Sequence, residues 1–240
     1  MKIQYYLIHN GNKDREKTMM EEFIKWGFDI NNIKWTLHPN KNELDEELIN
    51  KIVCQTPCES NGNIIYTSRM LLRRGTISCT YKHYLCLKDI VDNGYDYGVI
   101  MEDNIAFLDN IPELVKKYIY QLNKYYDNWD IVFDSWWTKY IESPTNPDLL
   151  VYPKSNEITN QCHGGTKTAN FYLLTNSCAK KLMENYLPFY DNPDMFMNDL
   201  FRKLNIKSFW VEPSVIKPHA NHISSVGSCS GIDKIEPCLT

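Results

Sequence analysis

The sequence predicts an α/β protein in which one mostly parallel sheet is flanked by helices. Three observations support that class. Strand-like and helix-like segments alternate along the chain, the pattern of a sheet covered on both faces. The run Tyr97-Gly98-Val99-Ile100-Met101 is continuously apolar, as a strand buried on both sides must be. The chain has 240 residues, 43% of them hydrophobic and 23% charged, and that length can bury roughly 70% of its unfolded surface. Disorder is excluded by the apolar content, and no apolar run reaches the ~18–20 residues of a membrane span. A net charge of −4 argues against a partner with a phosphate backbone, which calls for a basic excess. The aromatic share is high, 13% from 16 Tyr, 9 Phe and 6 Trp, more than a core of this size needs.

Ile3 to Ile8 is a short β-rich run that ends in the turn cluster His9-Asn10-Gly11-Asn12. Asp14 opens a helix to Trp26, with Met19, Phe23 and Trp26 on one face and Gly27 as its stop. Ile33 to Leu37 reads as a strand and Asn42 to Val53 as a polar helix. Residues 54–75 read as irregular. From Thr76 to Val91, the apolar positions Ile77, Tyr81, Tyr84, Leu85 and Val91 share a helical face, and Gly94 terminates it. The Tyr97–Met101 strand then breaks off into Glu102-Asp103-Asn104. A helix from Pro112 to Tyr126 and a strand from Trp129 to Phe133 follow, then a long loop and a strand from Ala169 to Leu174. Thr175 suits the N-cap of a helix Cys178 to Tyr186, Pro193 opens another to Leu204, and Ser208 to Val211 is the last strand. Without repeats or a linker, residues 1–240 are expected to form one domain.

In open α/β sheets, ligands bind beyond the carboxyl ends of the strands. Glu102-Asp103-Asn104 occupies such an end, and oxygen side chains there suit a hard cation with a phosphate-bearing ligand. The plainer reading is a polar strand end that caps the next turn.

The segment from Arg74-Gly75-Thr76-Ile77-Ser78-Cys79-Thr80-Tyr81-Lys82-His83 to Val99-Ile100-Met101-Glu102-Asp103-Asn104 resembles glycosyltransferase family 25, which includes lipooligosaccharide and collagen galactosyltransferases. That family carries a Gly-x-x-x-Cys/Ala-x-x-Ser-His helix and then an apolar strand ending in Glu-Asp-Asp. The opening strand with Asp14-Arg15, the stretches Gly164-Gly165-Thr166 to Thr175 and Ala179-Lys180-Lys181-Leu182, and the Pro193-Asp194 and Trp210-Val211-Glu212-Pro213 pieces are collinear with other family segments. Two features depart from the pattern. Asn104 stands where the family has a third carboxylate, and the spacing from the first strand to Arg15 is short.

The resemblance implies a GT-A-like fold, with a nucleotide-sugar half at about 1–110 and an acceptor half at about 111–240. It implies inverting transfer of a hexose from a UDP-sugar to a hydroxyl of a glycan or protein-linked acceptor, assisted by Mn²⁺ or Mg²⁺. Asp103, Asn104 and His222 (with His219 as the other C-terminal candidate) would hold the ion. Glu102 and Asp103, with Arg15 and Arg74, would contact the nucleotide sugar. Asp194 would be the base that takes the acceptor proton, with Asp199 one turn further on as second choice. Asp194 also suits a plain helix start. The aromatic run Trp136, Trp137 and Tyr140 offers flat faces to a sugar acceptor.

Two alternatives use the same residues: a nucleotidyltransferase, for which His9-Asn10-Gly11-Asn12 is a faint phosphate loop, and a degenerate, non-catalytic carbohydrate-binding transferase. Structural zinc is not expected. Cys79, His83 and Cys86 share a helix face, but the two cysteines are about 10 Å apart along the axis, too far to share an ion with Zn–S bonds of about 2.3 Å. Cys54-x-x-x-Cys58 and Cys162-His163 lack partners at recognisable spacing. The N-terminus lacks a signal-peptide pattern and no Asn-x-Ser/Thr sequon occurs, so a cytoplasmic setting is expected. The Asn-, Ile-, Lys- and Tyr-rich composition fits an AT-rich genome, and with the family's occurrence in large DNA viruses it extends that expectation to a viral factory in host cytoplasm.

Overall fold

The computed structural model describes residues 1–54, 58–60, 63–65, 72–134, 148–156, 166 and 168–219. Strand β1 (Ile3–Ile8) is followed by helix α1 (Lys13–Lys25), β2 (Ile33–Thr36) and α2 (Glu46–Ile52). The hairpin β3 (Cys58–Ser60) and β4 (Asn63–Ile65) precedes α3 (Arg74–Asp92), β5 (Tyr97–Glu102) and β6 (Ile105–Phe107). Then come α4 (Ile111–Tyr125), β7 (Ile131–Phe133), β8 (Val151–Pro153), β9 (Phe171–Thr175) and α5 (Asn176–Tyr186). Helix α6 (Pro193–Lys203), β10 (Ser208–Val211) and β11 (Ile216–Pro218) complete the described chain.

Among the described residues, the main sheet has seven strands in the order β2-β1-β5-β9-β7-β10-β8, with six helices around it. Strand β1 is parallel to β2 and β5, and β10 is parallel to β7. Strand β9 runs against both β5 and β7, and β8 against β10. The sheet is therefore mixed, and its parallel core is interrupted at β9. An apolar run such as Phe171-Tyr172-Leu173-Leu174 signals burial on both faces but carries no direction, so sequence pattern left its orientation open.

Alternation along the strands sorts side chains between two cores. Tyr5, Leu7, Val99 and Met101 pack with Met19 and Phe23 of α1 and with Val115 and Leu122 of α4. Tyr6, Ile8 and Ile100 pack on the other face with Ile77, Leu87 and Ile90 of α3, Leu182 of α5 and Phe196 of α6. Gly98 lets α3 lie close to β5, because a Cβ there would stand 2.2 Å from Ile90 Cδ1.

Helix boundaries follow their caps. Helix α2 starts four residues later than expected because Asp45 accepts from Leu48 N at 2.7 Å and sets the first turn. Thr175 caps α5 as expected, accepting from Cys178 N at 3.1 Å. Gly94, at φ +61°, ends α3 by donating to Val91 O. Strands β6, β8 and β11 have three residues each, too few for alternation to show in sequence. No described helix is long and apolar enough to cross a membrane.

Candidate active site at the ends of β1 and β5

Parallel pairing places Ile8 opposite Glu102, so the residues that leave the two strands, His9 and Asp103, emerge side by side. Asp103 follows the parity of Val99 and Met101 and turns toward α1. There its Oδ1 accepts from Arg15 Nη1 at 2.6 Å, and its Oδ2 lies 2.8 Å from His9 Nδ1. All three side chains are buried. Burial disfavours the Asp103 anion, yet the His9 hydrogen bond and the Arg15 charge outweigh it and hold the carboxyl below its ordinary range.

Glu102 follows the parity of Ile100 and faces α3. Its Oε1 lies 3.3 Å from His83 Nε2 and 3.9 Å from Cys79 Sγ. Cys79 and His83, four residues apart, occupy one helical face. The other ring nitrogen of His83, Nδ1, is 2.7 Å from the Tyr172 hydroxyl of β9, and His83 is fully buried. Burial beside Glu102 pushes the Cys79 thiol up.

Asp194 stands in the first turn of α6, where its Oδ1 accepts from Met195 N at 3.0 Å. Burial raises its carboxyl to about 7; the Met195 N–H opposes the shift, while the neighbouring charges of Glu102 and Asp191 add to it. Lys82 is buried and donates to His9 O and Asn40 Oδ1, both at 2.8 Å. Burial lowers its ammonium to about 8 against the opposing pull of nearby acidic groups, so it stays mostly charged at neutral pH.

A cleft of about 210 Å³ opens over these strand ends, lined by His9, Ser78, Cys79, Lys82, Glu102 and Asp103 among others. The turn does not fit a hard cation on Asp103 and Asn104. Both Asp103 oxygens are taken by Arg15 and His9, and Asn104 Oδ1 accepts from Asn170 Nδ2 at 2.6 Å. Among the described residues, the donor set that does converge is Cys79, His83 and Glu102, whose ligand atoms all lie within 4.8 Å of one another.

Residues 6–197 match the family described as glycosyltransferase family 25 (LPS biosynthesis protein). The chain belongs to glycosyltransferase family 25. Sugar transfer is therefore its chemistry, and the matched span runs through every described residue of this site from His9 to Asp194. No curated protein matches the chain. Among solved structures it is similar to A197 from STIV at 9% identity and a TM-score of 0.47, over 90% of this chain and 84% of that one.

Of the residues expected from the glycosyltransferase resemblance, the fold gathers Arg15, Glu102, Asp103 and Asn104 at the cleft. Arg15 reaches Asp103 rather than open space. Arg74 opens α3, donating to Leu44 O and pairing with Glu46 at 3.0 Å. Asp194 lies within electrostatic reach of Glu102. Asp199 sits one turn on and is held by Tyr190 and Arg202 instead. The backbone N–H of His219 donates to Asn104 O at 2.8 Å and so brings the C-terminal stretch to the acidic turn. His222, Trp136, Trp137 and Tyr140 lie outside the described residues, as do Cys162 and His163. Sequence reasoning missed His9, Lys82 and Tyr172. The signal for His9 was its place directly after β1, equivalent to that of Asp103 after β5.

Proposed function

We propose that the protein transfers a hexose from a UDP-sugar to a hydroxyl acceptor with inversion. The observation that carries this reading is a cleft at the strand ends with the Lys82 cation and Glu102 on its wall and, within electrostatic reach of Glu102, a carboxyl at Asp194 poised near neutrality. A base is most effective when its pKa lies near the working pH, and burial gives Asp194 that property. In the proposed step, Asp194 takes the proton of the acceptor hydroxyl. The acceptor oxygen bonds to the anomeric carbon from the face opposite the leaving group. The bond from that carbon to the diphosphate breaks, and UDP departs with the electron pair.

Lys82 supplies positive charge toward the diphosphate. Two of its three N–H groups are used by His9 O and Asn40 Oδ1, which aims the ammonium and leaves a donor for a phosphate oxygen. Arg15 and Asp103 act as positioning residues, since their ion pair fixes the turn that carries Glu102. Arg74 directly precedes Gly75, which lines the cleft, and is the proposed contact for the nucleoside end of the donor. Trp136, Trp137 and Tyr140, after β7, are the proposed acceptor platform.

A UDP-sugar panel read by UDP release, with glycan and peptide acceptors, tests the reading. Release with at least one hexose donor supports it, and its loss in Asp194→Asn assigns the base. Sugar binding without UDP release from any donor overturns it in favour of a non-catalytic carbohydrate-binding protein.

A further inference from the structure

We propose that Cys79, His83 and Glu102 form a zinc site whose remaining coordination position opens into the cleft. This goes beyond the sugar-transfer reading and does not depend on it. The argument begins with distances. Zinc binds thiolate at about 2.3 Å and imidazole or carboxylate at about 2.0–2.2 Å, so tetrahedral ligand atoms stand about 3.2–3.8 Å apart. His83 Nε2 and Cys79 Sγ lie 3.3 and 3.9 Å from Glu102 Oε1, and all three ligand atoms fall within 4.8 Å of one another, so side-chain adjustments without backbone movement complete the set. The three come from two rigid elements, α3 and the end of β5, and Gly98 holds those elements close together.

Ligand chemistry selects the metal. A thiolate, an imidazole and one carboxylate suit zinc or cobalt, whereas manganese and magnesium favour all-oxygen sets. Charge closes as well: the thiolate and the carboxylate together neutralise a divalent ion, while His83 binds as the neutral ring. When the ion enters, the Cys79 S–H bond breaks, its proton goes to solvent, and the sulfur lone pair forms the S–Zn bond. Beyond the ligands, the Tyr172 oxygen 2.7 Å from His83 Nδ1 can accept from an Nδ1–H, which leaves Nε2 with its lone pair toward the ion. Cys79 and Glu102 both line the cleft, so a fourth ligand can arrive from there, the arrangement of a reactive rather than a purely structural zinc. Cys86, on the same helix, takes no part, because its sulfur faces Thr36 Oγ1 at 3.3 Å.

The test uses the full-length chain stripped with chelator and then dialysed against Zn²⁺, Co²⁺ or Mn²⁺ without any sugar donor. The expected result is one retained zinc per chain and a cobalt form with a thiolate-to-cobalt charge-transfer band. Cys79→Ser should abolish that band, His83→Gln and Glu102→Gln should each lose the stoichiometric zinc, and Tyr172→Phe should weaken zinc binding about 10-fold. Circular dichroism of each variant separates lost ligation from lost fold. Failure of the wild-type chain to retain zinc, retention of Mn²⁺ in preference to Zn²⁺, or a cobalt band that survives in folded Cys79→Ser overturns the site. Because no donor is present, none of these outcomes depends on whether the protein moves a hexose.

Discussion

Glu102 and Asp103 are neighbours of identical charge, yet they live in opposite environments. Asp103 is closed in: both oxygens are bound, its partners Arg15 and His9 are buried, and its carboxyl is held ionised. Glu102 faces a chemically unfinished set comprising a protonated thiol, a buried imidazole and, further off, a carboxyl raised to about 7. Strand parity sends the first toward α1 and the second toward α3. One side of the turn is thereby closed by an ion pair and a hydrogen bond, and the other faces the candidate site. A charged motif at a strand end is therefore better treated as two half-sites than as one ligand cluster.

The comparison breaks most sharply at Asp194. Asp194→Asn is expected to lower turnover by about 10²–10⁴-fold, the usual contribution of a positioned base. Asp199→Asn should have a smaller effect, since that carboxylate is engaged by Tyr190 and Arg202. A larger loss in Asp199→Asn would move the base one turn along α6.

On the closed side the expected loss is in stability. Removing one partner of a buried ion pair, as in Asp103→Asn or Arg15→Met, should destabilise the fold by about 3–5 kcal/mol in denaturant titration. The pH dependence has a definite sign. Because the folded carboxyl lies below its ordinary value of 3.8, its contribution is complete above that value and is lost as pH falls through the folded one. Asp103→Asn should therefore flatten the acid limb of the stability curve, and an unchanged acid limb would show that the clamp is not what holds the turn.

Lys82→Met should weaken UDP binding, measured calorimetrically, by about 1.5–3 kcal/mol, roughly 10–150-fold, as expected for a hydrogen bond to a charged group. Gly98→Ala tests the spacing of α3 against β5, on which the Glu102 half-site is built. The added methyl must displace Ile90, and overpacking of this kind destabilises by about 1–3 kcal/mol. The smallest effect is the pH profile: kcat/KM should rise as pH approaches about 7 and then level off as Asp194 ionises. A profile flat between pH 5 and 8 would remove Asp194 as base.

Much of the fold was legible because its signals are local. The α3 periodicity with Gly94 beyond it, the Thr175 cap and the apolar β5 run are each contained in a stretch of fewer than about twenty residues, and each was found within a few residues of its observed place. The turn Glu102-Asp103-Asn104, which lines the cleft, was legible as a candidate for the same reason. Its ligand assignment was not, since Arg15 and His9 reach Asp103 from 88 and 94 residues away.

Local periodicity and residue chemistry, which the sequence carries by itself, determined the α/β class, the family resemblance and the location of the candidate turn. The tertiary structure decided the antiparallel run of β9, the partners of each carboxylate, and the replacement of the rejected Cys86 by Glu102 beside Cys79 and His83. The physical reason is that periodicity depends on neighbours along the chain. Register and strand parity become contacts only when distant elements are stacked.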